Sequence, residues 1–257
     1  MNRSKKIYFA SDVHLGAAAL KHNRERELMF VNWLHQIRED AEMIVLLGDI
    51  FDFWFEYRKV VPKGFVRFLG EIASICDSGI PVHFFAGNHD IWVFDYLTSE
   101  TGMIIHTEPW ETELFGKKFF LAHGDDLGKT DKKYQFLQAI FRNKLAQWAF
   151  AKIHPDLAFR WAHNWSKSSR LGRGAVKVPF LGEQHEHQII FAKEVLKKRF
   201  FDFFVLGHRH AVIDFQLSEI SKIFVLSEWF SDTIFYGVYD GNTFRLEKID
   251  NKTLFEK

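Results

Sequence analysis

Residues 83–92 read HFFAGNHDIW. An apolar run, Phe84-Phe85-Ala86, stops at Gly87 and gives way to Asn88, His89 and Asp90. Apolar and aromatic residues closed by a glycine predict a short buried strand that ends in a turn. Taken alone, Gly-Asn-His-Asp fits an Asx turn. It is not alone. Asp12-Val13-His14 follows the run KIYFAS, and Gly48-Asp49 follows MIVLLG, with Asp52 three residues further on. His123-Gly124-Asp125 follows KKFFLA, and Gly207-His208-Arg209-His210 follows FFVL. Five apolar runs thus end in carboxylate, imidazole or amide side chains. A chain that needed only to turn has no reason to choose metal-competent residues each time.

Between the first three runs lie RERELMFVNWLHQIRED and GFVRFLGEIASICDSG. Leu28, Val31, Trp33, Leu34 and Ile37 recur at helical spacing in the first, and the second ends at Gly79 ahead of Pro81. Alternating strands and helices predict crossover units and a largely parallel, buried sheet. In such sheets ligands collect at the carboxyl ends of the strands. Past Glu108 the pattern becomes hairpin-like, with a turn expected at Gly116-Lys117 in ELFGKKFF. KIFVLS, at 222–227, adds a further strand. The fold expected is α/β, of the α+β four-layer kind: two stacked mixed β-sheets flanked by helices.

The chain has 257 residues, 47% hydrophobic and 26% charged, which is ordinary for a globular protein. The single cysteine, Cys76, excludes an internal disulfide and fits a reducing compartment. The first apolar run is too short for a signal peptide, and no window approaches the ~20 apolar residues of a membrane span. We therefore expect a cytoplasmic chain that meets a membrane only peripherally.

The net charge of +1 conceals an asymmetry. Residues 129–177 carry eleven Lys/Arg against Asp131 and Asp156, a net of +9, so the remainder is at −8. An anionic partner at one face is implied. Eight aromatics share this basic segment. Phe136, Leu137, Ile140, Phe141, Leu145 and Trp148 recur at helical intervals across 132–151, and a second helix is expected through Leu157, Phe159, Trp161, Ala162 and Trp165. The expected organisation is a core of 1–128 and 178–257, interrupted by a helical cap at 129–177.

Asp12, His14, Asp49, Asn88, His123, His208 and His210 form a mixed carboxylate, amide and imidazole set. Such a set suits Mn, Fe or Zn, and seven ligands exceed the needs of one tetrahedral ion. Two ions about 3.5–4 Å apart with a shared carboxylate form a clamp for displacement at phosphorus. Hydrolysis of a phosphate ester or anhydride is the chemistry this implies.

Asp-x-His, Gly-Asp, Gly-Asn-His-Asp, His and Gly-His-x-His, in that order, resemble the signature of the calcineurin-like metallophosphoesterase superfamily. The resemblance implies one metal on Asp12, His14, Asp49 and His210, and another on Asp49, Asn88, His123 and His208. Within the superfamily, SDVHLG, LGDIFDFW and AHGDDLGKTDKKYQFL are similar to the UDP-2,3-diacylglucosamine pyrophosphatase family of the lipid A pathway. The metallophosphoesterase fold is implied, with two divalent ions, most often Mn²⁺. The implied substrate is a UDP-linked diacyl sugar taken from the inner membrane surface and cleaved to UMP and a diacyl sugar 1-phosphate; no nucleic acid partner is expected. By position, Asn88, His89, Asp131, Ser166, Arg170, Arg173 and His208 would contact substrate. Well-known members of that family carry arginine at the position of His89. The wider superfamily's histidine protonates a leaving oxygen and is oriented by the next aspartate, here Asp90. The histidine keeps an alternative in view, a broader phosphoesterase acting on diesters or nucleic acid. In the cap, Phe141, Trp148, Phe159, Trp161 and Trp165 are candidate walls for acyl chains, with Lys144, Lys152 and Arg160 toward anionic headgroups.

Overall fold

The computed structural model describes residues 5–18, 20, 22–128, 132–162, 164 and 179–250. The first sheet runs in the order β11-β10-β1-β2-β3-β4. Its parallel part is β1 (Lys6–Ala10), β2 (Ala41–Leu46), β3 (Val82–Phe85) and β4 (Ile104–His106); β10 (Thr233–Tyr239) and β11 (Phe244–Asp250) are antiparallel. The second sheet is β5-β6-β7-β9-β8. There β6 (Lys117–Ala122), β7 (Phe203–Leu206) and β9 (Lys222–Val225) are parallel, between antiparallel edges β5 (Trp110–Leu114) and β8 (Ile213–Gln216). The expected mixed, stacked sheets are what the chain forms.

The period of two along each strand makes the layers. Ile7 and Phe9, Val45 and Leu47, and Phe119 and Leu121 point between the sheets, where the Phe9 and Phe119 rings stack at 6.2 Å. Tyr8, Ala10, Ile44, Leu46 and Phe84 point the other way, onto α1 (Asn23–Ile37) and α2 (Val66–Asp77). Phe120, Phe204 and Leu206 pack on Ile189 and Ala192 of α7 (His187–Leu196). Every central strand is therefore buried on both faces, so the strands read as unbroken apolar runs rather than alternating ones.

Two expectations need correction. The β5–β6 turn is Phe115-Gly116, not Gly116-Lys117: both residues have positive φ (48° and 77°), and Lys117 already pairs with Leu114. Positive φ at both central positions is the type I′ arrangement that matches strand twist. The helix expected across 132–151 is two, α4 (Lys132–Arg142) and α5 (Lys144–Phe150). Asn143 separates them by adopting an extended conformation and accepting from the Leu145 and Ala146 N–H groups as an N-cap. A further helix, α6, occupies 155–162. The remaining helix, α3 (Tyr96–Thr101), precedes β4.

A separate aromatic cluster joins these helices to the sheet loops. Phe53, Phe55 and Trp92 are buried against Phe141, Phe150, Phe159 and Ala162. The Trp92 indole donates to the Phe141 carbonyl at 2.8 Å, so the end of α4 is tied to a residue two places beyond Asp90.

Candidate metal centre

The ends of β1, β2, β3, β6 and β7 lie at one rim of the stacked sheets, and the seven expected ligands meet there. Asp12, His14 and His210 offer donor atoms within 4.8 Å of one another, and so do Asp49, His123 and His208. Asn88 Oδ1 is 3.3 Å from His123 Nε2. Asp49 Oδ2 sits between the groups, 3.4 Å from His123 Nε2 and 3.7 Å from His14 Nε2. A carboxylate so placed can serve both.

The backbone is strained to achieve this. Asp12, His14, Asp49, His208 and His210 all have φ between 49° and 67°. The left-handed region costs a side-chain-bearing residue about 1–2 kcal/mol, and such residues persist where the surroundings over-determine them. Here Asp90 does much of that. Its oxygens accept from Gly87 N (2.7 Å), Ile50 N (2.8 Å), Asp49 N (3.2 Å) and Phe51 N (3.2 Å), locking the β2 and β3 loops together. A Cβ at Gly87 would collide with the Asp49 carboxylate and amide, so glycine is required by close approach rather than by the sharp turn alone.

The expectation that Asp90 orients His89 is therefore corrected: its lone pairs are occupied by backbone amides. His89 takes its orientation from the Asp52 carbonyl, 2.9 Å from Nδ1. A carbonyl only accepts, so Nδ1 carries the proton. The Asp52 carboxylate lies 3.4 Å from His14 Nδ1, the carboxylate–imidazole relation that turns the other ring nitrogen toward a metal. Leu47 O plays the same part for His123, at 2.7 Å from Nδ1. The spacing from Asp49 brought Asp52 to notice, but its role could not be read without the fold.

Electrostatically the site asks for a cation. Asp12 is fully buried; burial opposes its charge, yet His210 beside it brings its pKa down to about 2. Asp49 is held well below the usual carboxylate range, against burial, by His123, His89 and His14. Burial pushes His14 down to about 4 and His208 to about 3, leaving neutral imidazoles, the form that ligates. Asp12 Oδ2 accepts from Ser11 Oγ (2.6 Å) and His208 N (2.8 Å), but buried Oδ1 has no aligned donor, only His210 Nε2 at 3.1 Å. Against burial, Asp49 raises His123 and Asp12 raises His210, so the buried carboxylates draw positive charge to themselves, and an ionised Asp12 oxygen without an aligned donor, facing imidazoles that can ligate, fits a divalent ion.

Beside the centre a slot of about 170 Å³ opens. Asp52, Asn88 and His89 form one part of its lining; Phe53, Ile91, Trp92, Phe141, Phe150, Trp161 and Ala162 form the rest. Of the expected acyl walls, Phe141 and Trp161 line the slot, while Phe159 packs on Phe53 with ring centres 5.0 Å apart. Trp148 faces solvent, 60% exposed, with Lys152 5.2 Å over its ring. Asp131, Trp165, Ser166, Arg170 and Arg173 lie outside the described residues. Phe53, Trp92 and Phe150 were missed; the sequence offered only their aromatic character.

The family model for calcineurin-like phosphoesterases matches residues 5–212. Among curated proteins, a UDP-2,3-diacylglucosamine hydrolase of Porphyromonas gingivalis is 40% identical over 260 residues, spanning 96% of this chain and 98% of that protein. A protein of the same name from Vibrio vulnificus is 30% identical over 145 residues, 56% of this chain and 58% of its own. One from Aeromonas hydrophila is 26% identical across 86% of this chain and 90% of its own length.

Proposed function

The chain belongs to the calcineurin-like phosphoesterase family, and from that premise we propose that it is a metal-dependent hydrolase that cleaves the pyrophosphate of UDP-2,3-diacylglucosamine to UMP and 2,3-diacylglucosamine 1-phosphate. The observation that carries the substrate is the slot, whose lining passes from Asn88 and His89 directly to Phe141, Phe150 and Trp161. A pyrophosphate at the centre and an acyl chain in the slot would then belong to one molecule. Each methylene buried there is worth about 0.8 kcal/mol. The relatives named for this hydrolysis agree.

Asp12, His14, Asp49 and His210 would hold one divalent ion, and Asp49, Asn88, His123 and His208 the other. Mn²⁺ is our choice for both. When bound, such ions activate water and neutralise charge developing on the phosphoryl oxygens. The chain's own residues do the rest. Asp52 and Leu47 O fix the tautomers of His14 and His123. His89, anchored at Nδ1, presents its ring beside Asp49, whose Oδ1 accepts the His89 amide at 2.8 Å. With Nδ1–H committed to Asp52 O, its Nε2 is assigned to a phosphoryl oxygen, to which it donates in the doubly protonated form of the ring. Asp90 supports the loops rather than the reaction.

Residues 129–177 act as the cap, and Asp131, Ser166, Arg170 and Arg173 are the proposed contacts to the sugar phosphate. Phe136, Leu145, Trp148 and Leu157 are exposed among the likewise exposed Lys144, Lys152 and Arg160. That combination suits peripheral contact with an anionic membrane surface on the cytoplasmic side. No helix among the described residues is long and apolar enough to cross a membrane. Comparing KM for the diacyl substrate with that for UDP-N-acetylglucosamine tests the reading: we expect strong preference for the diacyl compound, and equal values would overturn it.

A further inference from the structure

The loop bearing His208 and His210 holds both ligands in the left-handed region, with φ 67° at one and 53° at the other and Arg209 between them. Arg209 points away from the ligands. Its Nε donates to Glu186 Oε2 at 3.0 Å and its Nη2 to Glu186 Oε1 at 3.2 Å, a two-pronged pair, with Pro179 O also 3.3 Å from Nη2. Glu186 is 2% exposed and sits at the N-cap position of α7, yet it does not cap its helix. Its Oε1 accepts instead from Leu181 N at 2.9 Å. Two residues on, Gln188 donates to Gly207 O at 2.9 Å, and its amide fills the space a side chain would need at Gly124, the neighbour of His123.

The start of α7 is therefore a junction. It touches the loops of three expected ligands, His123, His208 and His210. It also touches both flanks of the 129–177 insertion: residues 179–181 through Glu186 and Arg209, and Gly128, which lies against His187 and Phe191. A paired fork of this geometry holds orientation as well as charge. It adds to the bonds from His208 N to Asp12 Oδ2 and from Gly207 N to His123 O, which hold the same left-handed loop.

We propose that Glu186, through Arg209, is a positioning residue that holds His208 and His210 in metal-binding geometry and couples that geometry to the point where the chain returns from the insertion. The proposal rests on the two-metal reading of the centre but not on the identity of the substrate. The effect expected is that of removing a partner behind metal ligands, about 10–100-fold in metal affinity.

Mn²⁺ titration of metal-stripped full-length protein by calorimetry tests it, alongside the thermal midpoint of the metal-free protein and turnover of bis-p-nitrophenyl phosphate, which needs no acyl slot. Glu186→Ala should weaken Mn²⁺ binding at least about tenfold and lower kcat on the small diester more than it raises KM, and Glu186→Gln, which keeps one of the two acceptor oxygens, should recover part of the loss. If Glu186→Ala does not fold, Arg209→Gln, altered at a partly exposed side chain, should show the same loss. Unchanged Mn²⁺ affinity in a folded variant, with only the thermal midpoint lowered, would mean that Glu186 is merely structural and would overturn the proposal. Wild-type protein that takes up no Mn²⁺ would overturn the two-metal reading, and this inference with it.

Discussion

The metal-bearing loops and the helices of 132–162 border the same slot but are built on opposite terms. The loops are buried and polar, strained at five positions, and fixed by hydrogen bonds such as those to Asp90 and Asp52. The helices are apolar and aromatic, and they leave much of that surface in water: Leu145 is 72% exposed and Trp161 57%. Loops that must present lone pairs at fixed points need particular residues. A wall for hydrocarbon needs only apolar area, and many sequences supply it. Chemistry should accordingly be brittle in the loops and graded in the helices.

The largest test of that contrast is Asp49→Ala. Losing the shared carboxylate should lower turnover by about a thousandfold, roughly 4 kcal/mol of transition-state stabilisation, and abolish stoichiometric Mn²⁺ uptake in the same preparation. Activity retained within tenfold would dissolve the distinction.

A second test uses a buried imidazole and its half-buried partner, with no carboxylate beside them. His83 and His106 stack on one another and on Trp110, with Nδ1 and Nε2 2.8 Å apart. Burial, then the neighbouring His106, brings His83 down to about 4. The unfolded chain binds a proton below about 6.5, so the folded state is fully favoured above that pH and loses ground as pH falls toward 4. At about 1.4 kcal/mol per unit, the loss approaches 3 kcal/mol. His83→Phe should flatten the fall in thermal midpoint between pH 6.5 and 4. An unaltered pH profile would remove His83 from the account.

Asp90→Asn should come next. An amide nitrogen replacing an acceptor oxygen leaves loop N–H groups unsatisfied, at about 1–3 kcal/mol. Urea unfolding should show that loss in the metal-free protein, which separates a support role from a catalytic one. A catalytic deficit at wild-type stability would restore Asp90 to the reaction.

Smallest is Trp161→Ser. With most of its ring in solvent, it should leave the thermal midpoint almost unmoved while raising KM for the diacyl substrate about tenfold, near 1.4 kcal/mol of binding. KM for the small diester should not change. Equal effects on both substrates would mean that the slot holds no acyl chain.

What the sequence disclosed follows the same contrast. Strands buried on both faces announced themselves as apolar runs, and the residues ending them stood out because polar groups in that place are unusual. Asp90 misled because its position beside His89 in the chain does not place it beside the ring in space; besides Gly87 N, its partners are the amides of Asp49, Ile50 and Phe51, 39 to 41 places earlier. Across 132–151 the apolar period continues through Asn143, so periodicity alone merged two helices, although an Asn before Lys-Leu-Ala is itself a capping signal. Glu186 carried no signal at all, since its importance lies in contacts with residues 5 and 23 positions further from it along the chain.

The account's central claim is tested most directly by incubating the purified chain with UDP-2,3-diacylglucosamine, with and without Mn²⁺, and resolving the products by mass. It predicts Mn²⁺-dependent appearance of UMP and 2,3-diacylglucosamine 1-phosphate in equal amounts. Release of UDP with free diacyl sugar, or no cleavage of this substrate by protein that has bound Mn²⁺, would contradict it.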